Sequence, residues 1–430
     1  MNKVSTASGT MIPLERNWAG NHTFVAKRIC RATSIDEVRR MVASATNIRA
    51  IGARHSFNGI ADSPGDLLDL SALDSGLAID ADRMTVTVGA AVQYGALAEY
   101  LHGQGYALHN LGSLPHISVA GATATSTHGS GDTNGTLSSA VTGLELVTCD
   151  GDLITVSRGD EGFAGLAVGL GAFGIVTRLT LDIQPTFDMR QDAFVDLPWD
   201  TLLHDFDAIS SAGYSVSIVT KWSGATVDRL WVKTRLRDGE PRDVTVHHLG
   251  ATAGPAIVTI SGDDDLSDTL NPFGGRPGPW SERLAHFRVG SNAGGTDQIQ
   301  SEYVIARRHI GRALTALRKI GDRIDQDLWI SEIRTMTADD LWLSLAYGDD
   351  AVGLHFTWKK DLAAVDRITR EIEELLIPMG ARPHWGKVIH ATGTELTPVY
   401  PKLPDFRVLA DRYDPKGKFR NAFLARHVFG

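Results

Sequence analysis

The chain has 430 residues, 43% hydrophobic and 22% charged. That length suits two or three domains with sizeable cores, and that balance belongs to a soluble globular protein. A net charge of −9 without any basic run argues against nucleic acid as a partner, because phosphate binding needs clustered Lys and Arg.

Met1 to Leu14 is polar and lacks the apolar core of a signal peptide. No apolar run approaches the ~20 residues of a membrane span. A cytoplasmic location and no membrane partner are therefore expected; a monomeric state is also expected, although no sequence feature decides it. Two cysteines, Cys30 and Cys149, form no disulfide framework and no metal-type spacing, so no metal site is expected. Trp18 reads as a core anchor. Ser34-Ile35-Asp36-Glu37 is a capping box that opens a helix, its hydroxyl and carboxylate satisfying orphan N–H groups of the first turn. A short strand, Asn47 to Ile51, follows and feeds the turn Ala50-Ile51-Gly52-Ala53-Arg54-His55-Ser56-Phe57-Asn58-Gly59. Its two glycines leave backbone N–H groups free to approach an anion. In isolation His55 reads as an ordinary loop histidine; the alternative is a cradle for a pyrophosphate.

Leu67 to Leu77 reads as acidic loop and strand. Met84 to Val88 alternates with period two, a half-buried strand. Tyr94, Leu97, Ala98 and Leu101 mark one face of a helix ending near Gly103. Leu111 to Gly135 is rich in Gly, Ser, Thr and Ala, which suits either a surface loop or a backbone lying against a flat ligand. Leu144 to Thr148 and Leu153 to Val156 flank Asp150-Gly151, a hairpin signal. Gly169 to Gly174 matches G-x-G-x-x-G, but Ile175 to Ile183 alternates as a strand where a dinucleotide fingerprint requires a helix.

Pro185 marks a boundary. Beyond it, strand-like runs (Ser215 to Trp222, Leu230 to Thr234, Leu328 to Thr335, Val352 to Trp358) alternate with helices, of which Leu202 to Ile209 and Leu362 to Leu376 are clearest. A long sheet with helices on one face is the natural packing. Asp263 to Trp280 reads as a long surface loop. Period-two geometry places Ile330, Glu332 and Arg334 on one sheet face, and Gly353, His355 and Thr357 opposite Leu354, Phe356 and Trp358. His384-Trp385-Gly386-Lys387 adds a further histidine and cation. A solvated face with an exposed Glu–Arg pair is the bland reading; the scarcity of the usual Lys/Glu mixture argues for a site.

Ala50 to Asn58, Pro115-His116-Ile117-Ser118-Val119-Ala120-Gly121-Ala122-Thr123 and His128-Gly129-Ser130-Gly131 together resemble the vanillyl-alcohol-oxidase type of FAD-linked oxidase. Within it the chain is most similar to the alditol (xylitol or sorbitol) oxidases, with sugar-lactone oxidases next; H-W-G-K is close to the H-W-x-K of the latter. The resemblance implies an α+β, two-domain fold: an FAD-binding domain over 1–184, completed by about 398–430, and a substrate domain with a large antiparallel sheet covered by helices over 185–397. It implies FAD bonded covalently through His55 and held by Ala50, Ile51, Gly52, Ala53, Arg54, Ser56, Ser113, Ser118, Gly121, Ala122, Thr123, Ala124 and Ile175. Gly112 would lie beside the isoalloxazine, and Phe406 to Phe429 would return to the flavin domain, though an ordinary C-terminal helix and turn fits the local pattern equally.

The same resemblance implies a polyol site lined by Ser113, Gln300, Glu332, Arg334, His355, Thr357, His384 and Lys387. Catalysis would rest on Arg334, Lys387 and Glu332: the cations lower the cost of a developing alkoxide, and Glu332 orients Arg334 or binds a hydroxyl. Either Lys387 or a water would take the proton. The implied partners are a small polyol and O2, with H2O2 as product. An aldonolactone oxidase or dehydrogenase is the alternative enzyme; a non-catalytic flavin- or sugar-binding protein is the alternative of another class.

Overall fold

The computed structural model describes residues 3–4, 12–13, 16–236, 249–254, 269–291 and 297–430. Most of the Met1 to Leu14 segment and residues 263–268 of the expected surface loop lie outside them.

The strands Arg28–Arg31, Asp66–Asp69 and Ile48–Ile51 form a parallel three-stranded sheet with Asp66–Asp69 in the middle. The helix Ile35–Ser44 is the crossover between its outer strands, and it buries Val38 and Val42. Ser34 accepts from Glu37 N at 3.3 Å as expected. The return limb differs: the Glu37 carboxylate takes the Thr33 N–H at 2.7 Å and the Thr33 hydroxyl at 2.9 Å rather than the Ser34 N–H.

A five-stranded antiparallel sheet follows, built on the Val141–Val147 and Leu153–Ser157 hairpin, with Gly151 at φ +87° in its turn. Glycine carries that left-handed conformation without steric cost. Gly169 to Gly174 leads into the strand Ile175–Asp182, which confirms that its fingerprint spacing has no helix behind it. The helix Tyr94–Gly103 lies where its periodicity places it.

Among the described residues the largest sheet has nine strands. Its centre runs Arg229–Arg235, Ser215–Thr220, Leu328–Met336, Ala351–Lys359, Gln298–Ala306, with every pairing antiparallel. Leu354, Phe356 and Trp358 point to the helix side, into a core shared with Leu314, Leu317, Ile324, Val365, Ile368 and Ile372. Phe356 stacks on Trp358 with centroids 5.1 Å apart. The helix Leu362–Leu376 is capped by Asp361, which accepts from Ala363 N and Ala364 N at 3.0 Å each. The helix expected over Leu202 to Ile209 is instead two pieces, Trp199–His204 and Phe206–Ser210, meeting at Asp205.

The C-terminal segment does return to the first sheet. Lys418 O accepts from Ile48 N at 3.1 Å. The Lys418 ammonium reaches Val42 O and Cys149 O, both at 2.7 Å. Asn421 Nδ2 donates to Gly59 O, Ile60 O and Asp62 O. The buried Arg49 donates to Leu170 O at 2.7 Å and also to Phe419 O. The far end of the chain thus clasps the turn that carries His55.

Candidate active site

One cavity of about 600 Å³ runs from the His55 turn to the polar face of the nine-stranded sheet. Residues 50–56 form one wall, with Gly112, Ser113, Ser118 and 121–124 opposite. The backbone is set up for close approach. A Cβ on Gly52 would collide with the Ser118 hydroxyl, and one on Gly121 would come within 2.8 Å of it. Arg54 sits at φ +62°, a conformation unusual for a residue with a side chain. The turn is held from outside. Trp18 N donates to Arg54 O at 2.9 Å, Asn17 Nδ2 to Ser56 O at 2.9 Å, and Asn58 Nδ2 to Trp385 O at 2.8 Å and Lys387 O at 2.7 Å.

His55 packs under Trp18 with centroids 4.8 Å apart. Trp18 is half-buried and packs against the core of the large sheet, so it covers His55 and ties that cover to the core. Burial, helped by His116, lowers the His55 pKa to about 4, which keeps the imidazole neutral near pH 7. Its Nδ1 is buried without a protein partner. An orphaned nucleophilic nitrogen beside a glycine-lined cradle is what a covalently held FAD requires, and the residues present fit it.

The substrate face emerges from register. Thr357 lies between Gln300 and Ile330, and His355 lies between Glu302 and Glu332. Arg334 pairs with Gly353 and Ser217. Directly opposed residues share a face, so Gln300, Glu302, His355, Thr357, Glu332 and Arg334 project into the cavity together. Glu302 is the hub. Its carboxylate meets Lys387 Nζ at 2.5 Å, Arg334 Nη2 at 3.2 Å and His128 Nε2 at 3.0 Å. Burial works to raise its pKa, but Lys387, His128 and Arg334 outweigh that and hold it well below the ordinary carboxylate range. Gly353 makes the hub possible, since a Cβ there would lie 2.9 Å from Glu302 Oε1 and 3.0 Å from His128 Cε1.

Burial lowers the Lys387 pKa to about 8, against the pull of Glu302. Besides Glu302, Lys387 contacts His355 Nδ1 at 2.6 Å. The His355 ring, lowered to about 4 by burial and Lys387, bonds Thr357 Oγ1 at 3.0 Å through Nε2. Arg334 also donates to Ser113 Oγ at 3.0 Å, which ties the sheet face to the cradle wall. His384 lines the cavity with its Nδ1 accepting from Gly386 N at 3.0 Å.

All of the expected lining residues except Ile175 meet in this cavity. The Ile175 side chain is buried in the core, and the wall there is made by Gly174 and Val176. The strand alternation beginning at Ile175 turns its side chain away. Sequence reasoning missed Glu302, His128 as its partner, and His286. Glu302 carried a signal: it stands two residues after Gln300 on one strand and so shares its face. His286 sits in an irregular segment, where no periodicity marks it.

Residues 26–157 match the FAD binding domain family, and residues 292–427 match the D-arabinono-1,4-lactone oxidase family. An alditol oxidase of Streptomyces sp. is 43% identical, over 95% of this chain and 97% of that protein. An L-gulono-1,4-lactone dehydrogenase of Mycobacterium tuberculosis is 28% identical over 97% of this chain and 99% of its own length. A cholesterol oxidase from Brevibacterium sterolicum shares the fold, with a TM-score of 0.77 at 17% identity and 96% of both chains covered. The cradle, the charged sheet face and these full-length matches place the chain among the alditol oxidases of the vanillyl-alcohol-oxidase type of FAD-linked oxidases.

Proposed function

We propose that this protein oxidises the terminal hydroxyl of a five- or six-carbon alditol, such as xylitol or sorbitol, to the aldose, reducing O2 to H2O2 with FAD attached to His55. The balance is RCH2OH + O2 → RCHO + H2O2. The observation that carries this is the sheet face of Gln300, Glu332, Arg334, His355 and Thr357, joined by Lys387 from the neighbouring turn, which opens into the same cavity as the His55 cradle. A polyol presents a row of hydroxyls, each leaving a costly unpaired group unless it is met. Side chains fixed on adjacent strands meet such a row well.

When bound, FAD supplies the two-electron acceptor chemistry and delivers the electrons to O2. The chain's residues do the rest. Ala50 to Ser56, Ser118 and Gly121 to Ala124 hold the cofactor; Ser113 and Arg334 mark the boundary between cofactor and substrate. Lys387 directs two hydrogens to Glu302 and His355. As a neutral amine, its remaining tetrahedral position is a lone pair that accepts the hydroxyl proton. Arg334 stabilises the developing alkoxide, and Glu332 accepts from a hydroxyl further along the chain. His384 and Thr357 complete the wall. In domain terms, 1–184 with 398–430 carry the cofactor and 185–397 the substrate face.

The match to the D-arabinono-1,4-lactone oxidase family keeps aldonolactone oxidation as the second reading. Peroxide formation measured against alditols, aldonolactones and simple alcohols separates the two. Alditols of five or six carbons should exceed glycerol and every lactone; faster turnover of lactones than of any alditol would transfer the function to the second reading.

A further inference from the structure

Behind Glu332 lies a buried chain of polar groups that the reaction above does not use. Lys233 stands mid-strand, opposite Gln191 and Ser215, and is 1% exposed. It donates to Leu284 O, to Ala285 O at 3.4 Å and to His286 Nδ1 at 3.2 Å. His286 Nε2 in turn meets Glu332 Oε2 at 3.0 Å. The imidazole ring packs edge-on against Trp231, centroids 4.9 Å apart. Its backbone N–H donates to Ser113 O at 3.2 Å, so the histidine spans from the cradle wall to the sheet.

The partners dictate the protons. Glu332 is an acceptor, so His286 must carry its hydrogen on Nε2. Nδ1 is then bare and needs a donor, and Lys233 is that donor. Three acceptors surround an ammonium with three N–H groups, whereas a neutral amine would leave one acceptor unmet. Burial, only partly opposed by Glu332, pulls the Lys233 pKa down to about 7, so the pairing is finely balanced.

We propose that Lys233 and His286 are positioning residues for Glu332, fixing its carboxylate as an acceptor for hydroxyls beyond C2, counted from the reacting carbon as C1, and so setting the preference for long alditols. This rests on the alditol reading. Glu332 lies two strand residues from Arg334, and its Oε2 meets both His286 Nε2 at 3.0 Å and Arg334 Nε at 3.6 Å, so its other carboxylate oxygen is the one to accept from a hydroxyl further along the chain than the one Arg334 serves. With the dyad removed, Glu332 keeps its charge but loses its fixed direction, which weakens binding of the distal hydroxyls and leaves the reacting end intact.

The test uses His286→Leu, Lys233→Met and His286→Gln holoenzymes, with KM and kcat measured on xylitol, sorbitol and propane-1,2-diol, which has no distal hydroxyl. The first two variants should raise KM for xylitol and sorbitol roughly tenfold, the scale of one misplaced hydrogen bond to a charge, with kcat and the diol kinetics little changed. His286→Gln, whose amide accepts from Lys233 and donates to Glu332, should restore most of the loss. Equal losses on the diol and the alditols would reduce the dyad to a structural role and overturn the proposal. Nitrogen-15 shifts of His286 in the wild-type holoenzyme provide an arm independent of folding and of substrate: protonated Nε2 with bare Nδ1 is expected, and protonated Nδ1 would overturn it. Wild-type enzyme that turned over no alditol would sink the function instead, with the tautomer still deciding the positioning claim.

Discussion

At the scale of single residues, Lys387 concentrates the chemistry. Buried beside Arg334 and Glu302, its pKa falls from the usual 10.5 to about 8. Below that pH the nitrogen carries its extra proton and has no lone pair to offer; above it the amine is free. kcat/KM on xylitol should therefore rise about tenfold per pH unit up to about 8 and level off beyond. A flat profile from pH 6 to 9 would show that Lys387 is not the proton acceptor. His55 offers a second single-residue test. Its neutral, buried and unpartnered Nδ1 suits covalent attachment. Acid-precipitated protein should stay yellow and fluoresce on a denaturing gel, and His55→Ala should release all its flavin to the supernatant; a colourless wild-type pellet would refute attachment.

At the scale of elements, strand parity made the substrate face readable. Ile330, Glu332 and Arg334 alternate with Trp329, Ser331 and Ile333 in the sequence, and pairing with His355 and Thr357 puts the polar set on one side. The helix Leu362–Leu376 was equally plain from Val365, Ile368 and Ile372. What parity does not encode is which polar residues outside the strand pair come to meet that face. His286 arrives from an irregular segment and His128 from a Gly-rich one, so neither has a periodic signature. The capping box shows a smaller miss: the i to i+3 spacing at Ser34 was right, yet Glu37 found Thr33 one residue earlier. The apolar face yields a clean prediction. Phe356 is fully buried between Trp222 and Trp358, on the side away from the cavity. Phe356→Ala should cost about 3–5 kcal/mol of stability through the void it leaves, while the folded fraction keeps near-normal KM for xylitol. A large KM change with unchanged melting would mean that the two faces are not independent.

At the scale of the whole molecule, the arrangement joins three distant parts of the chain. The His55 turn, the His384 to Lys387 turn and the C-terminal segment interlock through Asn58 and Asn421. That interlock sets the distance between cofactor and base, and only the family resemblance hinted at it, because hydrogen bonds across more than three hundred residues leave no local pattern. No helix among the described residues is long and apolar enough to cross a membrane. Gly112 borders the cavity, and a Cβ there would make only ordinary contacts, 3.5 Å from Ile117 and Thr127. The protein itself therefore leaves that side of the cavity uncrowded, which suits access by O2. The central claim is that one cavity unites polyol, flavin and oxygen. It is tested most directly by reducing the holoenzyme anaerobically with xylitol and then mixing it with air-saturated buffer. The account predicts bleaching of the flavin by xylitol, rapid recovery of its absorbance with O2, and one H2O2 released per flavin. A flavin that no alditol bleaches, or a reduced flavin that O2 leaves bleached for minutes while an artificial dye reoxidises it at once, would contradict it.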